Sequence, residues 1–291
     1  MFTTAFEYVR PKSLEEATAA LQKYGFDGKV LAGGQSLIPA MRLRLAALGA
    51  LVDINGLPDM RYTREENGHL RVGALARHVD FEHSSFFKEQ YPLLSDAAHW
   101  LADPVIRNWG TMVGSVVHND PAGDWGAVAM AMKASIVLHS ASGERTMPVS
   151  EFCTDTFTTE IQEGEIAVAL LFPKASKHSA GAYIKLERKV GDYAIVAAGT
   201  QLTVDATGKI AEAGIAFANA APMITNCTEA ENILTGQSPS DDLFKAAAEA
   251  AANATDPAPD NRGTVEYKKD MARVLCYRAL KKSYERIQQH S

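Results

Sequence analysis

Two glycine-bearing segments carry residues suited to holding an anion through the backbone. The first is Val30-Leu31-Ala32-Gly33-Gly34-Gln35-Ser36-Leu37-Ile38-Pro39, which reads as a strand end, a double-glycine turn and the start of a helix. Gly33 and Gly34 accept positive φ without a Cβ penalty, so the chain can turn sharply and present its N–H groups to one side. The helix that follows adds orphan donors and a positive partial charge at its N-terminus. Ser36 adds a hydroxyl, and Pro39 suits an early helical position. The second segment is Arg107-Asn108-Trp109-Gly110-Thr111-Met112-Val113-Gly114-Ser115, followed by His118-Asn119-Asp120-Pro121-Ala122-Gly123-Asp124. Thr111 and Ser115 offer hydroxyls. Asp124 stands just before a helix, where its carboxylate can cap the helix or accept from ribose hydroxyls, and both readings stay open.

Neither segment is one of the common phosphate motifs. There is no GxGxxG fingerprint and no GxxxxGK[ST] loop. Two Gly/Ser turns, each read as following a strand, suit a ligand with two phosphates held by neutral donors. A dinucleotide meets that description, whereas a nucleoside triphosphate calls for a lysine and a metal. A third segment, Lys185-Leu186-Glu187-Arg188-Lys189-Val190-Gly191-Asp192-Tyr193-Ala194, offers basic residues, a turn and an aromatic. Taken alone, its basic residues read as a solvated strand face and Tyr193 as a core residue. The eight histidines include no HExxH pair. His118, Asp120 and Asp124 have no element to aim them at a common ion, so no metal ligand is assigned. No GxSxG elbow is present. Cys153, Cys227 and Cys276 form no CxxC pair and no iron–sulfur spacing, and read as buried or half-buried thiols.

The elements that must position these segments follow from patterning. Phe2–Tyr8 reads as an edge strand. Ser13-Leu14-Glu15-Glu16 is a capping box that opens a helix closed by Gly25. Strand 29–31, the first glycine turn, a helix over 38–47 and strand 50–54 make a small βαβ unit. Beyond Gly56-Leu57-Pro58 the pattern gives strand 69–75, helices over 81–87 and 93–101, and a helix over 125–132. A hairpin over 135–148 and strand 165–172 come next. A polar link over 174–179 leads to three alternating strands, 182–189, 195–204 and 210–219, and to helices over 241–252 and 265–287. With 291 residues the chain is long enough for two domains. A net charge of −6 argues against nucleic acid as a partner. No apolar run reaches the length of a membrane span. Glu7, Arg10 and Lys12 interrupt any signal-peptide core, so a cytoplasmic station is expected.

Four blocks in register resemble one family. They are Ala32–Leu37, Ile106–Thr111 through Asp120–Asp124, Lys185–Ala194, and Arg262–Tyr267 with Met271–Leu275. The chain is similar to the FAD-binding medium subunit of molybdenum hydroxylases, the xanthine dehydrogenase family, most like that of aerobic carbon monoxide dehydrogenase. The resemblance spans essentially the whole chain. It implies an α+β fold: a two-subdomain FAD-binding domain of the PCMH/VAO type over residues 1–176, divided at about 55, and a C-terminal domain over 177–291 with a three-stranded antiparallel sheet and helices.

The resemblance also implies the site. Ala32, Gly33, Gly34, Gln35, Ser36 and Leu37, with Thr111, Val113, Gly114 and Ser115, would bracket the FAD pyrophosphate. Asp124 would lie near the ribose and adenosine half. Leu101 and Ile166 would be apolar contacts. Lys185 would lie beside the flavin, and Tyr193 beside its isoalloxazine. The family usually has Thr-Ile-Gly-Gly-Asn where this chain has Thr111-Met112-Val113-Gly114-Ser115. A β-branched Val113 disfavours positive φ, so the turn either does not need it there or has shifted.

The function implied is electron transfer with no catalytic residue in this chain. A large subunit would carry the molybdenum cofactor and a small one two 2Fe–2S clusters, as a dimer of heterotrimers, a heterohexamer. Electrons would leave FAD for an external acceptor such as quinone, with oxygen and NAD as alternatives, in the cytoplasm or at the inner face of the membrane. Two other readings stand beside it: a stand-alone flavin-dependent reductase and a non-enzymatic nucleotide-binding scaffold.

Overall fold

The structure, a computed structural model, describes residues 2–224 and 226–290. The first layer is β1 (Glu7–Val9), α1 (Leu14–Tyr24), β2 (Gly28–Leu31), α2 (Leu37–Arg42) and β3 (Ala50–Asp53). The Ser13 hydroxyl accepts from Glu16 N at 3.2 Å and opens α1. Glu16 accepts in turn from Lys12 N at 2.7 Å, one residue upstream of the usual reciprocal bond. The strands lie in the order β1-β3-β2, all parallel, with Glu7 and Gly28 both opposite Ala50. Two expectations need correcting. The edge strand begins at Glu7, not Phe2. The second helix ends at Arg42 instead of reaching residue 47, because Arg44 takes a φ of 60° and Leu45 N closes back on Ala40 O at 2.9 Å.

The second layer opens with a hairpin of β4 (Thr63–Glu66) and β5 (His69–Gly73). Asn67 and Gly68 turn it with φ of 49° and 77°, the left-handed pair that matches strand twist. β4 has no apolar alternation and was not anticipated. Six short helices follow: α3 (Val79–Glu82), α4 (Ser85–Gln90), α5 (Pro92–Trp100), α6 (Pro104–Trp109), α7 (Met112–His118) and α8 (Asp124–Ala131). The helix expected over 81–87 is split into α3 and α4, because Ser84 is extended. Next come β6 (Ser135–Ser140), β7 (Gly143–Pro148), α9 (Val149–Phe152), the small hairpin β8 (Cys153–Asp155) and β9 (Thr158–Thr159), and β10 (Ile166–Pro173). The five-stranded antiparallel sheet runs β4-β5-β10-β6-β7.

This sheet is buried on both faces at its centre. Ile136, Leu138, Leu170 and Phe172 pack with Trp125, Phe81, Leu94 and Met112 beneath the helices. Val137, Ile166, Val168 and Ala169 pack on the other face with Ala17 and Leu21 of α1 and with Val52 and Ile54. Burying apolar surface on both faces ties the first layer to the second.

The last part is β11 (Ser179–Leu186), β12 (Val196–Val204) and β13 (Ile210–Ala218), an antiparallel meander, then α10 (Thr228–Leu234), α11 (Asp241–Asn253) and α12 (Val265–His290). It is the three-stranded sheet with helices that was expected, with α10 as an addition. α12 covers β11 and β12 on one side, and α5 and α8 cover the sheet on the other. Small residues set the second contact: a Cβ on Gly214 would collide with Ala131 O of α8.

Candidate functional site

The first glycine segment connects β2 to α2. Gly34 takes a φ of 72°, and Ile38 N closes the turn on Gly34 O at 3.0 Å. Gly33 needs its lack of a side chain for a different reason. A Cβ there would lie 2.5 Å from Trp109 O, 2.7 Å from Gly110 Cα and 3.0 Å from Thr111 N. The two glycine segments, distant in sequence, therefore meet backbone against backbone. Gln35 Nε2 donates to Gly33 O at 3.0 Å and holds the turn. Ala32 to Leu37 are all half-buried. Ser36 heads α2 without a side-chain capping bond.

The second segment is not a turn after a strand, as its glycines suggested. It is a corner between two helices, Gly110-Thr111 between α6 and α7. The Thr111 hydroxyl accepts from Gly114 N at 3.3 Å and caps α7. Gly114 and Ser115 thus belong to the first turn of a helix. Val113 is helical, has no positive φ and points into the core at 2% exposure, so its branched side chain meets no conflict. A Cβ on Gly114 would lie 2.6 Å from the Thr111 hydroxyl, so the glycine leaves the cap intact. Ser115 is half-buried, and the Cβ direction of Gly123 passes 3.8 Å from its Oγ. Among the described residues, neither the Ser36 nor the Ser115 hydroxyl has a protein partner, and both are free to meet a ligand.

Three residues that sequence reasoning missed hold the junction. Arg77 donates to Trp109 O and, at 2.6 Å, to Asn55 Oδ1. Asn55 Nδ2 donates to Ala32 O at 2.8 Å and to the Asp53 carboxylate at 2.7 Å. His78 N donates to Gly110 O at 3.1 Å, and its ring leaves no space for a Cβ on Gly110. Trp125 Nε1 donates to His78 Nδ1 at 2.9 Å, which leaves the proton on Nε2 of a neutral ring. Burial, with Arg77 and Arg107 nearby, lowers the His78 pKa to about 3. Asn55-Gly56 is legible as a turn, but nothing in it points across to the other loop.

The third segment lies against α5 and α8. Lys185 is not a solvated strand residue: it is 6% exposed, and its Nζ donates to the Asp124 carboxylate at 3.1 Å and to Trp100 O at 3.2 Å. Asp124 is the first residue of α8, but it does not cap the helix; its other oxygen accepts from the Tyr183 hydroxyl at 2.7 Å. Burial pushes the Asp124 carboxyl up, and Lys185 and Tyr183 oppose that shift. The same burial and the adjacent carboxylate raise Tyr183 well above the usual phenol range. Alternation along β11 places Tyr183 on the face of Lys185, a signal that was available in the sequence.

Gly191, with a φ of 84°, sits so close to Ala102 that a Cβ would lie 2.9 Å from its carbonyl. That contact brings the loop to Leu101, which is buried at 8% exposure. Tyr193 is no core residue: it is 52% exposed, just past the Gly191 turn. Glu187 Oε2 and Asp192 Oδ2 are buried and accept no hydrogen bond among the described residues, but each faces a cation, Lys185 Nζ at 3.7 Å and Arg188 Nε at 3.9 Å. Ile166, by contrast, is 1% exposed inside the core cluster against which Ala32 packs, so it presents no open surface. The structure thus gathers the two glycine segments at one junction. It gathers Asp124, Lys185, Leu101 and the Gly191–Tyr193 turn at a second place, and it keeps Ile166 inside the core.

The arrangement fits a flavin dinucleotide on the observations above: a backbone cradle that side chains would fill and two hydroxyls without a protein partner among the described residues. Comparison with known proteins points the same way. Residues 4–175 match the model of the FAD binding domain in molybdopterin dehydrogenase. Residues 181–283 match that of the CO dehydrogenase flavoprotein C-terminal domain. The carbon monoxide dehydrogenase medium chain of Hydrogenophaga pseudoflava is 37% identical, over 98% of this chain and 99% of its own length. The 6-hydroxypseudooxynicotine dehydrogenase complex subunit alpha of Paenarthrobacter nicotinovorans is 36% identical, over 97% of this chain and 95% of its own. Among solved structures, carbon monoxide dehydrogenase from Hydrogenophaga pseudoflava lacking the Mo-pyranopterin moiety superposes with a TM-score of 0.93 at 38% identity. That match covers 98% of this chain and 99% of the other.

Proposed function

Because the chain belongs to the family of FAD-binding subunits of molybdopterin dehydrogenases, we propose that it is the FAD-binding electron-transfer subunit of a molybdenum hydroxylase complex. The observation that carries this reading is the meeting of the two glycine segments, with Gly33 packed on Trp109–Thr111, each segment also bearing a serine, Ser36 or Ser115, whose hydroxyl has no protein partner among the described residues. The FAD-binding unit takes residues 1–176 and the C-terminal unit 177–291.

FAD, when bound, supplies the electron exchange. The chain's residues bind and place it. Ala32, Gly33, Gly34, Gln35, Ser36 and Leu37 offer backbone donors and one hydroxyl to the diphosphate. Thr111, Val113, Gly114 and Ser115 offer the first turn of α7. Asp124, fixed by Tyr183 and Lys185, keeps lone pairs for ribose hydroxyls. Leu101 lines the apolar side, and Ile166 acts through the core that it shares with Ala32. The exposed ring of Tyr193 would lie beside the isoalloxazine, and Lys185, held by Asp124, beside the flavin.

Partners complete the enzyme: a large subunit with the molybdenum cofactor and a small subunit with 2Fe–2S clusters, in a dimer of heterotrimers. Electrons pass from the clusters to FAD and on to an acceptor such as quinone. No helix among the described residues is long and apolar enough to cross a membrane, and the complex works in the cytoplasm or at the inner membrane face. Relatives named for carbon monoxide and for 6-hydroxypseudooxynicotine are almost equally similar, which is why the substrate is assigned to a partner chain. The test is an absorption spectrum of the purified chain. A flavin spectrum with about one FAD per chain, bleached by dithionite, is expected; a colourless chain that takes up no added FAD would overturn the reading.

A further inference from the structure

The guanidinium of Arg77 lies under the junction of the two glycine segments. The residue is 8% exposed. It donates to Trp109 O, the atom against which Gly33 packs, and to Asn55 Oδ1, while Asn55 donates to Ala32 O. One buried cation is thus bonded directly to the second segment and through one side chain to the first. Among the described residues no carboxylate comes within 4.0 Å of its side-chain nitrogens. The carboxylates whose charge reaches it are engaged elsewhere. Asp80 takes two bonds from Arg61, at 2.6 and 3.1 Å, and only a backbone N–H from Arg77. Asp53 accepts from the Tyr8 hydroxyl at 2.5 Å and meets Arg77 only through Asn55.

A buried charge without a direct counter-ion is unfavourable and is relieved by an opposite charge held nearby. A dinucleotide diphosphate has the complementary need. It brings two negative charges to a cradle of neutral amides and hydroxyls, which solvate but do not neutralise them. Resting on the FAD reading above, we infer that Arg77 is the counter-charge of the bound diphosphate. It is a positioning residue that binds the two glycine segments together and neutralises the ligand from beneath without touching it. The alternative is a purely mechanical tie, in which the guanidinium matters only for its hydrogen bonds.

Charge and tie separate by ligand and by substitution. The full-length chain, freed of flavin, is titrated with FAD, ADP and riboflavin by fluorescence and calorimetry, as wild type and as Arg77→Lys, Arg77→Gln and Arg77→Met. Riboflavin carries no phosphate. If Arg77 supplies charge, Gln and Met each weaken FAD and ADP by about tenfold or more, the size of an unscreened charge interaction at this burial. They leave riboflavin within about twofold, and Lys restores most of the loss. If Gln and Met weaken riboflavin as much as FAD, or if Lys is as poor as Met, the tie is mechanical and the inference fails. Diphosphate affinities unchanged in Gln, with wild type binding FAD, sink the inference alone. Wild type that binds neither FAD nor ADP sinks the functional reading and the inference with it. Should Met fail to fold, the comparison of Lys with Gln decides.

Discussion

Gly33 has no room for a side chain, because the carbonyl of Trp109 stands 2.5 Å from where its Cβ would be. Backbone cannot retreat as a flexible side chain can, so Gly33→Ala must push the two segments apart. The expected result is a loss of bound FAD by about tenfold in affinity and of about 1–3 kcal/mol in stability, the usual range for overpacking. Full FAD occupancy at native melting temperature would count against the cradle. His78 makes a second residue-scale prediction, through pH. Its folded pKa, about 3, lies below the ordinary 6.5. Its contribution to stability is therefore complete above pH 6.5 and is lost as pH falls toward 3, at about 1.4 kcal/mol per unit. Urea unfolding followed across that window should show this slope in wild type and a flatter one in His78→Gln, which retains an acceptor for Trp125 but does not titrate. Equal slopes would remove His78 from the acid response. At this scale the glycines were legible because glycine is rare where it is not needed, but exposures were not. Tyr193 read as core and Lys185 as surface, and the structure reverses both. Lys185 is drawn inward by Asp124, a partner 61 residues away that no local pattern announces.

Elements with a clear period were legible, and those without one were not. α1, α5, α11, α12 and the three-stranded meander all follow apolar patterns that the sequence displays. β4 reads Thr63-Arg64-Glu65-Glu66, polar at every position, and is a strand only because β5 pairs with it. The corner at Gly110-Thr111 was misread because a glycine inside a helix is disfavoured by about 1 kcal/mol, so Gly114 suggested a turn. The gain at that position is an uncrowded Thr111 cap. The contact between the FAD-binding layers and the C-terminal sheet rests on a more polar device. Asp96 of α5 accepts from Arg286 at 2.8 and 2.9 Å, from Lys282 at 3.1 Å, and from Tyr183 N at 3.2 Å. α12 is thereby tied to α5 across the edge of β11. Asp96→Asn leaves two cations facing a neutral amide. With these groups partly open to water, a loss of about 2 kcal/mol is expected, read as a lower urea midpoint with an unchanged slope. FAD affinity should change little, since the two glycine segments lie in other elements; a parallel collapse of FAD binding would mean that Asp96 supports the site through Tyr183, whose N–H it accepts.

As a whole molecule the chain divides its labour. It builds one cradle between two layers and sets a third against it through Asp124, Tyr183 and Lys185. The three cysteines are buried, and burial pushes the Cys153 and Cys227 thiols up to about 12, so neither is a ready thiolate ligand at neutral pH. Among the described residues no three His, Cys, Asp or Glu side chains gather to hold a metal ion. In the proposed complex the electrons that reach FAD come from clusters on one partner, and the substrate is oxidised on another. That yields a prediction about the isolated chain. Reconstituted with FAD, it should bleach with dithionite and stay oxidised with carbon monoxide, aldehydes or N-heterocycles. Addition of an iron–sulfur subunit and a molybdenum subunit should restore bleaching by the substrate that the molybdenum subunit accepts. Addition of the molybdenum subunit alone should not, because nothing would carry electrons across. If the isolated chain turns over with an organic substrate or NADPH, it is a self-sufficient reductase, and the division of labour in the proposed complex is wrong.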